Sequence, residues 1–353
     1  MNRFEKRLAQ IIDERLEHHL DHVTPGIKLR AYRKGKLAGE LSLGKTYRFY
    51  DLASLTKILF TVPVLMRLVE EKELNLNHPM RHYLDWYPSP RTQVKEVLSH
   101  FAGLPWWAPF YKKMRGPMNP EKRWRQLEGH LRKVKPGPKT RAIYSDIDFF
   151  MLGMLVEEIH GAPLEEVWRD YRESLDLKGF TMHFNPGNRP KYKRSLYAPT
   201  ETCSWRGKTM QGEVHDENCW SLGGVAPHAG LFGTLDDVSQ WALLLRRSYL
   251  QKSGSQLIGQ KTLHHFAKRA VPRGKGDWAS GFMIPTKGKA SCGRNLSLRS
   301  FGHTGFTGTS LWYDPVKDLM VIILSNRVHP TRENTAFVAL RPLLHDWIVE
   351  ALG

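Results

Sequence analysis

Strand-like patterning in this 353-residue chain is confined to two distant stretches, and that separation constrains the fold more than any other feature. Near the start, GIKLRAYRKGKLAGELSLG alternates as two strands joined at Lys34-Gly35. Near the end, WASGFMI, LSLRSFGHT, GTSLWYDP and DLMVIIL follow in close succession. Turns at Gly305 to Gly308 and at Asp314-Pro315 give these runs the pattern of an antiparallel meander. A lone hairpin is marginal in water. The first two strands are therefore expected to join the later ones in a single sheet, which brings the two ends of the chain together.

Between these stretches the period changes. From Ser54 the apolar positions Leu55, Ile58, Leu59, Val62, Leu65, Met66 and Val69 recur at three- and four-residue steps, a helix with one buried stripe that Pro63 should bend. From 76 to 234 loops alternate with helical patterns at Gln93 to Ser99, Ile147 to His160 and Leu164 to Tyr171. DDVSQWALLLRRSYL, the final NTAFVALRPLLHDWIVEALG and the first twenty residues are helical too. The expected fold is α+β, an antiparallel sheet flanked by helices. Residues 1–75 with 235–353 would form the sheet region and 76–234 a mostly helical insertion, all in one integrated catalytic unit.

Hydrophobic residues at 41% and charged residues at 25% suit a chain that buries a sizeable core. The first twenty residues lack the apolar core of a secretory signal, and no run reaches the roughly 18 apolar residues of a spanning helix. The expectation is a cytoplasmic chain with no membrane span. Cys203, Cys219 and Cys292 form neither an even set nor a C-x-x-C pair, which fits free thiols rather than disulfides or a zinc knuckle. The formal charge of +18 would attract anions, yet its lysines and arginines are scattered. Only Tyr111 to Arg141 concentrates them beside aromatics, without a helix-turn-helix, RNP or zinc-finger pattern. Nucleic acid is therefore not the expected partner, and oligomeric state is left open.

Two S-x-x-K pairs occur: Ser42 with Lys45 in the turn-like run SLGKTY, and Ser54 with Lys57 where the apolar helix begins. A serine that attacks a carbonyl needs a base for its proton and donors for the developing oxyanion. At a helix start Ser54 would have free N–H groups and the positive end of the dipole nearby, with Lys57 on the same face. Lys57 can act as a base only if burial or nearby positive charge lowers its pKa. The plain alternative is an N-cap serine and a solvated lysine.

Tyr144 stands just before another helix start in RAIYSDIDFFMLGMLVEEIHG, with Ser145 or Asp146 as the natural cap. Held between lysines its phenolate would be stabilised and could act as general base; otherwise it is a core tyrosine anchoring a helix end. In SFGHTGFTGTSLWYDP, His303-Thr304-Gly305 ends a strand whose edge could offer backbone groups to an extended substrate, or simply closes a hairpin.

Together, Ser54-x-x-Lys57, Tyr144-Ser145-Asp146 and His303-Thr304-Gly305 resemble, in order and approximate spacing, the three motifs of serine β-lactamases and penicillin-binding proteins. The tyrosine is closest to the class C β-lactamase, esterase and D-peptidase branch. VKEVLSHFAGLP, GEVHDENCWSLGGVAPHAGLFGT and LSNRVHPTREN are similar to runs of the same superfamily, so the resemblance spans nearly the whole chain. It implies a β-lactamase/transpeptidase-like fold and a serine hydrolase that works through an acyl-enzyme on small esters, D-amino-acid peptides or peptidoglycan fragments, with no cofactor. Ser54 would be the acylated nucleophile, Lys57 its partner in proton transfer and Tyr144 the general base. The N–H groups of Ser54 and Phe306 would hold the oxyanion, with Asp146, His303, Thr304 and Gly305 around the substrate. Asp146 stands where the lactamases have an amide, and His303 where they have a lysine. A neutral imidazole recognises a carboxylate less well than an ammonium does, so efficient β-lactam hydrolysis is not expected.

The run GEVHDENCW, with Glu213, His215, Asp216 and Cys219, and His228 nearby, matches no zinc spacing, so no metal is expected. His215 and Asp216 are candidate pocket residues. The alternative to an enzyme is a non-catalytic binding or sensor protein of the same fold whose basic surface holds an anionic ligand.

Overall fold

Leu319–Ser325 is apolar at all but its last position, the composition of a strand covered on both faces. The computed structural model, which describes residues 1–16, 19–252 and 257–353, places it at the centre of the sheet. The strands are β1 (Gly26–Arg33), β2 (Lys36–Gly44), β3 (Tyr50–Asp51), β4 (Pro199–Cys203), β5 (Lys208–Gln211), β6 (Phe232–Gly233), β7 (Phe301–Thr304), β8 (Ser310–Asp314) and β9 (Leu319–Ser325). The helices are α1 (Arg3–Leu16), α2 (Leu20–Val23), α3 (Val62–Glu70), α4 (Val94–Leu98), α5 (Pro120–Leu131), α6 (Asp146–His160), α7 (Leu164–Ser174), α8 (Glu217–Ser221), α9 (Leu235–Leu250), α10 (Gln260–Ala267) and α11 (Ala336–Leu352).

Five antiparallel strands run in the order β2-β1-β9-β8-β7, with Leu29 opposite Ile323 and Trp312 opposite Val321. The two ends of the chain thus share one sheet, as the marginal stability of a lone hairpin requires. Side chains alternate along β9. Leu319, Val321 and Ile323 join α1 and α11 in one apolar cluster, while Met320, Ile322 and Leu324 join α9 and the helical part in a larger one. The strand β7 is left at the sheet edge.

The helices read from the sequence at 93–99, 147–160, 164–171 and 236–250, and the last one, appear as α4, α6, α7, α9 and α11. The first helix ends at Leu16, and residues 17–18 of that reading lie outside the described residues. WASGFMI is not a strand: among the described residues it makes isolated bridges, Arg269 to Ala279, Trp278 to Met283 and Met283 to Gly302. Gly281, at φ +81°, turns the chain there, and a Cβ at this position would stand 2.3 Å from a Val62 methyl. Nor is the S-x-x-K helix uniformly α. Lys57–Thr61 winds as a π-helix, with the Val62 N–H donating to the Lys57 carbonyl, and Pro63 follows in the first turn of α3. Cys203, Cys219 and Cys292 are free and buried, as expected of thiols. Among the described residues no helix is long and apolar enough to cross a membrane.

Candidate active site

Ser54 follows Ala53, whose φ of +47° lies in the left-handed region that alanine seldom adopts. Asp51 holds this turn: its buried carboxylate accepts the N–H of Ala53 at 2.9 Å and that of His215 at 2.7 Å. The Ser54 Oγ then stands 2.7 Å from the Tyr144 hydroxyl and 3.0 Å from Lys57 Nζ. Its partners are side chains rather than the backbone N–H of a cap, which separates the two readings of this S-x-x-K. Ser42 is exposed on β2, in a strand rather than a turn, opposite Lys28.

Lys57 is fully buried, and its ammonium has three acceptors: Ser54 Oγ, Asp146 Oδ1 at 2.7 Å and the His228 carbonyl at 3.1 Å. Burial pulls its pKa below the usual lysine value, and Asp146 opposes that pull. Asp146 is free for this contact because Ser145 is the cap of α6, accepting the Asp148 N–H at 3.2 Å. The Tyr144 hydroxyl donates to Asp146 Oδ1 at 3.3 Å. Burial and then Asp146 push its pKa well above 10, so Tyr144 is a phenol, not the phenolate expected from the sequence. Near it stands His303, whose Nδ1–H donates to the Thr304 carbonyl at 2.8 Å. Burial and Lys57 lower that imidazole to about 3, so it is uncharged at neutral pH.

The turn after β7 is pressed against the serine loop. A Cβ on Gly305 would stand 2.0 Å from Thr309 Oγ1 and 2.8 Å from the Leu52 carbonyl, so only glycine fits. Arg341 donates to the carbonyls of Gly305 at 3.0 Å and Thr309 at 3.2 Å. Because a trans peptide is planar, anchoring the Gly305 carbonyl also fixes the direction of the Phe306 N–H. Arg327 donates to the Phe306 carbonyl at 2.8 Å and lies 4.6 Å over its ring, on which His215 also stacks at 5.6 Å. Among the described residues neither the Ser54 nor the Phe306 N–H has an acceptor. Met283 pairs with Gly302, so Thr304, two residues on, turns its own N–H and carbonyl to that same outer edge.

These elements enclose a cavity of about 620 Å³ lined by Ser54, Tyr144, Asp146, His303, Thr304, Gly305, Phe306, His215 and Asp216, with Lys57 buried against the serine. The structure therefore brings together Ser54, Lys57, Tyr144, Asp146, His215, Asp216 and the run from His303 to Phe306. Asp216 caps α8 and lies 3.0 Å from His228 Nε2. Ligand atoms of Asp146, Asp216 and His228 come within 4.8 Å of one another, and the positive charge beside them is the Lys57 ammonium. A second cavity of about 600 Å³, lined by Lys268, Arg273, Lys287 and Arg299 among others, contains none of these groups.

Several residues of the site went unread in the sequence. His100 Nδ1 stands 2.9 Å from Asp148 Oδ2 and 3.2 Å from the Ser145 N–H, which ties α6 to the loop after α4. Burial raises the Asp148 pKa and lowers that of His100, which agrees with a neutral pair. The one available signal was the run VKEVLSHFAGLP, which contains His100. Arg341 and Trp278 carried no motif, because each reaches the cavity only through the packing of α11 and of the loop before β7.

The family described as beta-lactamase matches residues 8–342. A protein of Salmonella agona (strain SL483), provisionally named as a D-alanyl-D-alanine carboxypeptidase, is 31% identical over 363 aligned positions, which cover 92% of this chain and 81% of that protein. Among solved structures, EstCE1, described as a hydrolase with promiscuous acyltransferase activity, superposes with a TM-score of 0.69 at 17% identity over 97% of this chain and 99% of its own. An octameric penicillin-binding protein homologue from Pyrococcus abyssi gives 0.68 at 20% identity over 96% of this chain and 77% of its own. Identities this low speak to fold alone, and they agree with the sheet and helices described above.

Proposed function

The chain belongs to the beta-lactamase family, and from that membership we propose that it is a serine hydrolase working through an acyl-enzyme on esters and D-amino-acid peptides. The observation that carries this reading is the placement of Ser54 Oγ within hydrogen-bond reach of both Lys57 Nζ and the Tyr144 hydroxyl.

In this reading the base is the neutral amine of Lys57, present once the ammonium, whose pKa burial lowers, has lost its proton to solvent. The resulting amine takes the Ser54 proton as Oγ bonds to the acyl carbon. The N–H groups of Ser54 and Phe306 hold the oxyanion. The bond to the leaving alcohol or amine breaks, that group leaves with the Tyr144 proton, and Lys57 reprotonates Tyr144. Water then repeats the sequence on the acyl-enzyme, releasing the acid and restoring Ser54. His303, uncharged, offers no cation to a substrate carboxylate, which supports a preference for esters over β-lactams.

Labelling with a fluorophosphonate or a fluorescent penicillin should vanish in Ser54→Ala, and equal labelling of that variant would remove Ser54 from the mechanism. A binding or sensor protein is the outcome if neither p-nitrophenyl esters nor D-alanyl peptides are turned over.

A further inference from the structure

Large exposed aromatics are costly on a monomer surface and mark binding sites when they cluster. Trp106 is 64% exposed and Trp205 46% exposed, and they lie on one continuous line. Trp106 stacks with Trp107 at 5.7 Å, Trp107 meets Tyr111 at 6.4 Å, and Tyr111 meets Trp205 edge-on at 4.7 Å. Both ends of the line are fastened to the serine cavity. At one end the Trp106 carbonyl accepts the Asp146 N–H at 3.0 Å, and Trp106 and Trp107 line the cavity itself. At the other, Arg206 lies 5.4 Å over Trp205 and donates to the His215 carbonyl at 2.7 Å. The middle is pinned to α8, where Asn218 accepts the Tyr111 N–H at 2.9 Å.

We propose that Trp106, Trp107, Tyr111 and Trp205 form a saccharide-binding track at the mouth of the Ser54 cavity, so that the acyl group removed by Ser54 is carried on a sugar. The proposal rests on the hydrolase reading and narrows its substrate. An aromatic face matches the C–H face of a pyranose, and a ligand seated there also needs polar partners at its rim. The track has such a partner in Lys112, whose ammonium lies 5.8 Å over Tyr111, while Arg206, bonded to Cys203 Sγ and to the carbonyls of Val214 and His215, holds Trp205 in place. A hydrocarbon chain would leave the Lys112 ammonium facing apolar surface, whereas hydroxyl or carboxylate groups of a sugar satisfy it. In the reaction the ester bond to the sugar breaks, water supplies OH to the acyl group and H to the sugar oxygen, and both products leave.

The test compares O-acetylated chitotriose with p-nitrophenyl acetate. Chitotriose should quench tryptophan fluorescence, and Trp205→Ala should lower the ratio of kcat/KM for the acetylated trisaccharide over p-nitrophenyl acetate by about tenfold, the loss of one stacked ring face. Trp205 is exposed at the tip of the β4–β5 hairpin, so its truncation leaves the core intact. The proposal is overturned if chitotriose leaves the fluorescence unchanged to its solubility limit, or if the ratio does not move. It is equally overturned if Trp205→Ala instead selectively weakens turnover of p-nitrophenyl octanoate, which would make the track an acyl groove. Ester turnover that disappears in Ser54→Ala keeps the hydrolase reading in place under any of these results, while its persistence sinks that reading instead.

Discussion

Asp146 is where this site departs most from a lactamase-like one, and the consequence is electrostatic. Its carboxylate opposes the effect of burial on Lys57. If the neutral amine of Lys57 is the base, kcat/KM rises with pH as that lysine loses its proton. Asp146→Asn then leaves burial unopposed, so the Lys57 pKa falls further and the rise moves to lower pH. A pH profile with p-nitrophenyl acetate checks this, and an unmoved profile would point to another base. Asp148 makes a different demand. In a neutral pair with His100 an amide can take its place, so Asp148→Asn should unfold within about 1 kcal/mol of the native chain in urea, while Asp148→Ala, which leaves the buried imidazole nitrogen without its partner, costs about 1–3 kcal/mol. Equal losses in the two variants would mean that the pair is ionic. Neither residue announces its protonation state in the sequence, because that state is set by burial and by which neighbours donate.

At the scale of elements, the edge strand β7 and the serine loop are built against each other. Gly305→Ala forces a Cβ into Thr309 and the Leu52 carbonyl, which displaces the Phe306 N–H from its place beside Ser54. The expected loss in kcat is about 10²–10³, the cost of one oxyanion donor, measured by steady-state kinetics on a folded variant. The central strand answers to stability instead. Ile322 is fully buried, and Ile322→Ala should cost about 2–5 kcal/mol in denaturant unfolding. Periodicity made most of these elements legible: β9 by its unbroken apolar run, α6 by its cap and apolar stretch, β1 and β2 by alternation. It failed at WASGFMI, where alternating apolar residues suggested a strand and Gly281 turned the chain instead, and at Pro63, whose expected bend is a π-helical turn placed ahead of it.

For the whole molecule, one apolar cluster runs from Phe49 through the helical residues to Leu324. We propose on this ground that the sheet region, 1–75 with 235–353, and the insertion, 76–234, act as one integrated catalytic unit. Scanning calorimetry should show a single cooperative transition, and two resolved transitions would separate them. The sequence by itself determined that the ends must meet in a sheet, which segments are helices, and which residue types at which spacings could attack a carbonyl, since all of these follow from local period and composition. Tertiary structure alone decided that Tyr144 is a phenol, that His303 is uncharged, that Asp146 faces Lys57 and that Arg341 anchors the turn after β7. Each of those depends on which groups lose water together and which lie within hydrogen-bond reach, and residues far apart in the chain settle both.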